Sequence, residues 1–232
     1  MILDASGYYM VRINGEPRGG EKYGTEIVRH PVRLRAGRNE FLFQGERGRL
    51  RARLFDPPAP VSFTDSDATL PDLIVGSPGP VWAGIRLVNA TEENIGTIDI
   101  SYQAGDQSGT ARGSASIPPL MTRKLAIPLN IRVPETEGKV RLALKAKVQA
   151  GRNAVETPGL EMALKAVTRA AHHVRTFVSE IDGSVQYYAV APCSTDAAAR
   201  GGAKPALVLT LHGAGISFST ATPIPMHSGP GS

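Results

Sequence analysis

The sequence predicts a mainly β protein assembled from antiparallel β-sandwich modules, and three observations predict it. Apolar residues recur at every second position over most of the 232 residues, the period that puts one face of a strand in a core and the other in water. The chain carries 25 Gly and 18 Pro, and many fall between the alternating runs, where turns need positive φ or tolerate a missing N–H. Two pairs, Asn14-Gly15 and Asp182-Gly183, stand between alternating segments, as in tight hairpins.

Residues 1–56 read as one antiparallel module. Tyr9, Val11 and Ile13 alternate with Met10 and Arg12, and Asn14-Gly15 supplies the turn. Val32 and Leu34 predict a second strand, Ala36-Gly37-Arg38-Asn39 turns it into Glu40–Gln44, and a further strand runs from Arg49 to Phe55. Asp56-Pro57-Pro58-Ala59-Pro60 then breaks any ladder, because proline has no N–H to donate, and residues 57–69 are expected to form a linker. Val11–Glu16 followed by Pro31–Phe43 resembles the galactose-binding type of jelly-roll module appended to secreted hydrolases. Those modules are longer than this segment, so the resemblance implies the carboxy-terminal part of one.

Residues 70–171 repeat the pattern at the spacing of an immunoglobulin-like sandwich. Strands are expected around Val81–Leu87, Ile98–Tyr102, Leu125–Val133 and Val140–Val148, with Pro128 marking a sheet edge. No Cys-Trp-Cys framework accompanies them, since Cys193 is the only cysteine. Leu160–Val167 fits both a helical stripe and a strand alternation, and the β-pattern after it favours the strand. Val174–Ile181 and Ser184–Val190 flank Asp182-Gly183, which predicts a hairpin with a two-residue type I′ turn.

The last feature is the run Lys204–Gly215, in which a continuous apolar strand, Ala206–Leu211, empties into His212-Gly213-Ala214-Gly215. Phe177–Pro192 and Pro205–Gly215 together resemble the opening strands of the catalytic domain in α/β-hydrolase esterases and prolyl-oligopeptidase-like peptidases. The resemblance implies that residues 172–216 begin such a domain and that Gly213, Ala214 and Gly215 are oxyanion-hole candidates. Backbone N–H groups there would face the negative charge of a tetrahedral intermediate. It makes His212 structural, because the family's base lies near the end of the domain. No Gly-x-Ser-x-Gly elbow occurs anywhere, and Ile216–Ser232 is too short for a nucleophile, an acid and a base. The expected fold is therefore sandwich modules followed by the first strands of an incomplete α/β-hydrolase domain, with an irregular tail over 217–232. No helix is left to cover Ala206–Leu211, so that run is expected to stand exposed.

Other candidates carry weaker chemistry. His172 and His173 are adjacent and point apart on a strand, so an exposed pair is expected rather than a metal site. Asp65, Asp67 and Asp72 could hold Ca²⁺ with backbone carbonyls, but no Gly-centred loop joins them. Asn89-Ala90-Thr91 is a glycosylation triplet of a kind that arises often by chance. Trp82 could stack on a sugar, although a lone Trp on a strand reads first as core. Residues 1–60 hold 11 Lys and Arg against 7 Asp and Glu, yet the arginines alternate with apolar residues as on the solvated face of strands. Without a helix-turn-helix, zinc or aromatic-stacking pattern, nucleic acid is not an expected partner. No segment approaches the roughly 20 apolar residues of a membrane span, Met1–Ser6 lacks the basic start of a signal peptide, and no cofactor or metal is expected. A secreted or periplasmic parent protein is consistent with the resemblance. The function expected is that of an accessory region and oxyanion-loop strand of a serine hydrolase acting on ester, peptide or carbohydrate-linked substrates, inactive by itself. The alternative is a non-catalytic β-sandwich module that binds carbohydrate.

Overall fold

The computed structural model describes residues 1–20, 28–45, 49–77, 79–113, 116–193 and 207–211. Among them are strands and no helix, in sheets that are antiparallel but for one short parallel pairing, so the protein is mainly β. The first module comprises β1 (Ile2–Ser6), β2 (Met10–Ile13), β3 (Glu16–Gly19), β4 (Val28–Pro31), β5 (Phe41–Gln44) and β6 (Arg51–Phe55). They form two three-stranded sheets, β4-β1-β6 and β3-β2-β5, around Leu3, Ala5, Tyr8, Val11, Ile13 and Val32. Asn14 and Gly15 take φ of 52° and 92°, the paired left-handed geometry of a type I′ turn. The Asn14 carboxamide also ties this turn to the neighbouring loop, accepting from the Glu40 N–H and donating to Asn39.

Two differences from the sequence reading arise in this module. The strand expected at Val32–Leu34 lies earlier, at β4, because Val32 leaves the ladder to donate its N–H to the Met1 carbonyl at 2.9 Å and to enter the core. β1 shows no alternation, since Ile2, Leu3, Asp4 and Ala5 are all buried. A central strand covered on both faces loses the period-2 signature.

The sandwich comprises β7 (Val61–Thr69), β8 (Leu73–Ile74), β9 (Val81–Asn89), β10 (Ile95–Ala104), β11 (Gln107–Gly113), β12 (Met121–Leu129), β13 (Gly138–Ala150), β14 (Asn153–Glu156) and β15 (Leu160–Val167). One sheet runs β11-β10-β13-β15-β8, with β14 beside β13, and the other β12-β9-β7. Their facing side chains, among them Ile85, Leu87, Ile98, Ile100, Ile127, Leu142 and Leu144, make one core. Pro128 lies on the edge strand β12, where its missing N–H costs nothing. The linker expected at 57–69 is corrected: β7 occupies most of it and pairs with β9. Its Asp, Ser and Thr residues read as linker, but Val61 and Phe63 anchor it in the core. Asp67, at φ 55°, interrupts the register between Thr64 and Thr69.

The sheet β12-β9-β7 is covered on both faces. Its inner side meets the core through Ala83, Ile85 and Leu87, yet Val88, on the opposite side, is buried too. On that outer face Thr122 Oγ1 donates to the Arg29 carbonyl of β4 at 3.4 Å. Farther along lies the hairpin β16 (His173–Val178) and β17 (Val185–Val190). Thr176 Oγ1 donates to the Trp82 carbonyl at 2.7 Å, and the missing side chain of Gly84 leaves room for Val185, whose Cβ stands 3.0 Å from where a Gly84 Cβ would be. The first module and the hairpin thus share the outer face of one sheet.

The hairpin falls where Asp182-Gly183 predicts it, but the type I′ turn is corrected. Only Gly183 has positive φ, at 70°, and the loop is longer: Ser179 N–H bonds the Ser184 carbonyl and Gly183 N–H bonds the Ser179 carbonyl. Asp182 instead accepts from the Ser184 hydroxyl and N–H, which hold its carboxyl below the ordinary carboxylate range.

Candidate functional site

The oxyanion candidates Gly213, Ala214 and Gly215, with His212, lie outside the described residues. Their lead-in does not. Leu207, Val208, Leu209 and Leu211 are 95%, 62%, 80% and 84% exposed and belong to no sheet of the described residues. As a central hydrolase strand this run would be buried between helices; in this structure its apolar side chains face solvent.

Each remaining candidate has a definite place. Trp82 is not in the core: it lies half-buried on β9, and its main-chain carbonyl accepts from the Thr176 hydroxyl of the hairpin. The expected exposed histidine pair is corrected, for His172 is exposed but His173 is buried, with Nδ1 2.8 Å from the Ala171 carbonyl. The two do point apart. Asn89 is fully buried. Its Nδ2 donates to the carbonyls of Glu93, Pro118 and Ile117 at 2.8, 2.9 and 3.2 Å, and its Oδ1 accepts from Thr91 N–H and hydroxyl. That carboxamide is a structural staple with no atom left for a glycan. Of the three aspartates, Asp67 pairs with Arg86 at 2.6 Å and Lys124 at 3.2 Å, and Asp72 accepts from the Val174 N–H at 2.7 Å. Both carboxylates are engaged by protein groups, and no set of three His, Cys, Asp or Glu suited to a metal occurs among the described residues.

Sequence reasoning missed a polar cluster where the first module meets the sandwich. Asp4, buried at 5% exposure, lies 3.0 Å from Arg53 and 3.5 Å from Arg29, its register partners on β6 and β4. Arg29 in turn donates to Thr64 on β7. Beside them Tyr8 and His30 meet edge-on at 6.4 Å. Burial, and then the Asp4 carboxylate, push the Tyr8 hydroxyl up to about 12. Burial, with the Arg18 and Arg86 guanidiniums, pushes His30 down to about 4 despite a hydrogen bond to the Gly19 backbone. His30 is therefore neutral at neutral pH, and Tyr8 Oη, Arg29 Nε and His30 Nε2 are buried with no hydrogen-bond partner among the described residues, Arg29 Nε facing Asp4 at ion-pair distance. The signal in the sequence was Asp4 inside an apolar strand, since a buried carboxylate requires a paired cation.

A groove of about 450 Å³ opens at one end of the sandwich, between the β10–β11 turn and the segment that joins β12 to β13. It is lined by apolar side chains, including Ile131, Val133 and Val140, and by Asp106, Arg132 and Glu135. No protein-family model matches the chain, and no curated protein matches it. No helix among the described residues is long and apolar enough to cross a membrane.

Proposed function

We propose that this chain is the accessory β-sandwich region and the oxyanion-loop strand of a serine hydrolase acting on ester or peptide bonds through an acyl-enzyme, without turnover of its own. The observation that carries the reading is the exposed apolar run Leu207–Leu211 directly before His212-Gly213-Ala214-Gly215. Apolar side chains so placed favour burial by about 25 cal/mol per Å², and a hydrolase sheet with its helices is the cover that this sequence context suits. The docked hairpin is compatible with the same reading, because the resemblance begins within it, at Phe177, and Thr176 ties it to the sandwich. Amide hydrogen exchange on a dilute monomer tests it. Fast exchange across Leu207–Leu211 beside slow exchange in β9, β10 and β13 is expected. Slow exchange across the run would assign it to a complete β-domain and overturn the hydrolase reading.

A further inference from the structure

We propose that the groove at the end of the sandwich binds a neutral oligosaccharide. Its volume, about 450 Å³, lies within the range of roughly 300–1,000 Å³ typical of small-molecule sites. The groove is also preformed. Gln107 clamps the backbone of Arg132, donating to its carbonyl at 2.9 Å and accepting from its N–H at 2.6 Å. Tyr102 Oη accepts from the Asn130 N–H, and the Gly105 N–H bonds the Arg141 carbonyl. Walls held this way lose little freedom when a ligand arrives.

The lining selects the ligand class. Ile131, Val133 and Val140 offer an apolar floor suited to the C–H face of a sugar ring. Asp106, Arg132 and Glu135 are exposed, and their side chains have no hydrogen-bond or ion-pair partner among the described residues. Carboxylates accept from hydroxyls and a guanidinium donates to them, so a polyol meets all three. A wholly apolar ligand would strip water from these charges without replacing its hydrogen bonds. Two carboxylates against one guanidinium disfavour uronates, sulfates and phosphates by like-charge repulsion. A neutral glycan satisfies both conditions. The proposal uses no residue of the hydrolase reading, so each can fail without the other.

The test titrates the full chain with neutral trisaccharides of glucose, mannose, galactose and xylose, and with a galacturonate trisaccharide, followed by amide NMR. At least one neutral trisaccharide is expected to shift Gly105, Val133 and Glu135 with a Kd of about 1 mM. The double variant Asp106→Ala/Glu135→Ala, whose side chains have no partner among the described residues, is expected to weaken it about tenfold. Val133→Trp, which fills the groove, is expected to remove it. The proposal is overturned if no neutral trisaccharide shifts these amides, if the double variant binds like the parent chain, or if the galacturonate binds equally well.

Discussion

A buried carboxamide and a half-buried imidazole dominate the residue scale. Asn89 donates to three carbonyls and receives two donors, so truncation removes five bonds at once, although the Ile117 carbonyl keeps the Ile95 N–H and the Glu93 carbonyl keeps the Thr91 hydroxyl. Asn89→Ala is expected to lower stability by about 3 kcal/mol, read from urea unfolding with an unchanged slope. A loss below about 0.5 kcal/mol would show that water replaces the amide. His30 makes a pH prediction with a definite sign. The unfolded side chain binds its proton near the usual 6.5 and the folded one near 4. Between these values the unfolded state holds more protons, so stability is full above about 6.5 and falls as pH falls toward 4. From pH 7 to pH 5 this one group is expected to remove about 2 kcal/mol, a loss absent in His30→Gln. Equal acid losses in the two proteins would mean that His30 is not held neutral in the fold.

Gly84 decides how one element sits on another. A side chain there would press on the Val185 Cβ and Lys124 Cε at 3.0 Å and the Thr69 Cβ at 3.3 Å. Val185 belongs to the hairpin backbone's own footprint and cannot swing away as a lysine terminus can. Gly84→Leu is therefore expected to lift β16–β17 from the sheet at a cost of about 1–3 kcal/mol. Trypsin should then cut faster at Arg175, while the sandwich strands β10 and β13 keep their amide protection. Unchanged cleavage at Arg175 would show that the hairpin is held elsewhere, through Asp72 and Val174. The hairpin itself was legible in the alternation on either side of Asp182-Gly183, but its loop was not. The Ser179–Ser184 and Ser179–Gly183 bonds close a wider turn, and the pair preference of two residues does not encode loop length.

For the molecule as a whole the expectation is catalytic silence. An oxyanion hole takes its second donor from the residue after the nucleophile, and the sequence contains no Gly-x-Ser-x-Gly elbow. Among the described histidines, His30 is bonded to the Gly19 backbone, His173 is committed to the Ala171 carbonyl, and His172 is exposed. The purified chain is expected to hydrolyse neither nitrophenyl esters nor peptide anilides above background, and serine-directed phosphonates should label nothing. Stoichiometric labelling of one serine, abolished by its replacement with Ala, would reveal a nucleophile among residues that read as structural.

Alternation determined that this protein is mainly β, and it located β9, β10, β13, β15 and the β16–β17 hairpin; β10, β13 and β15 show it most plainly, with one face in the core and one in water. It also singled out the apolar run before His212. Period 2 could not show β1 or β7. Both are flanked by protein on two sides, so polar residues such as Asp4, Ser62 and Thr64 are buried beside apolar ones and the pattern vanishes. Which faces cover one another is a matter of tertiary packing, and only that packing turned a supposed linker into β7, a glycosylation triplet into the Asn89 staple and an expected core Trp82 into a half-buried residue whose carbonyl holds the hairpin. The polar cluster around Asp4 and the groove beside Arg132 have the same origin: each unites residues far apart in the chain, and strand pairing across the modules, which no local signal records, brings them together.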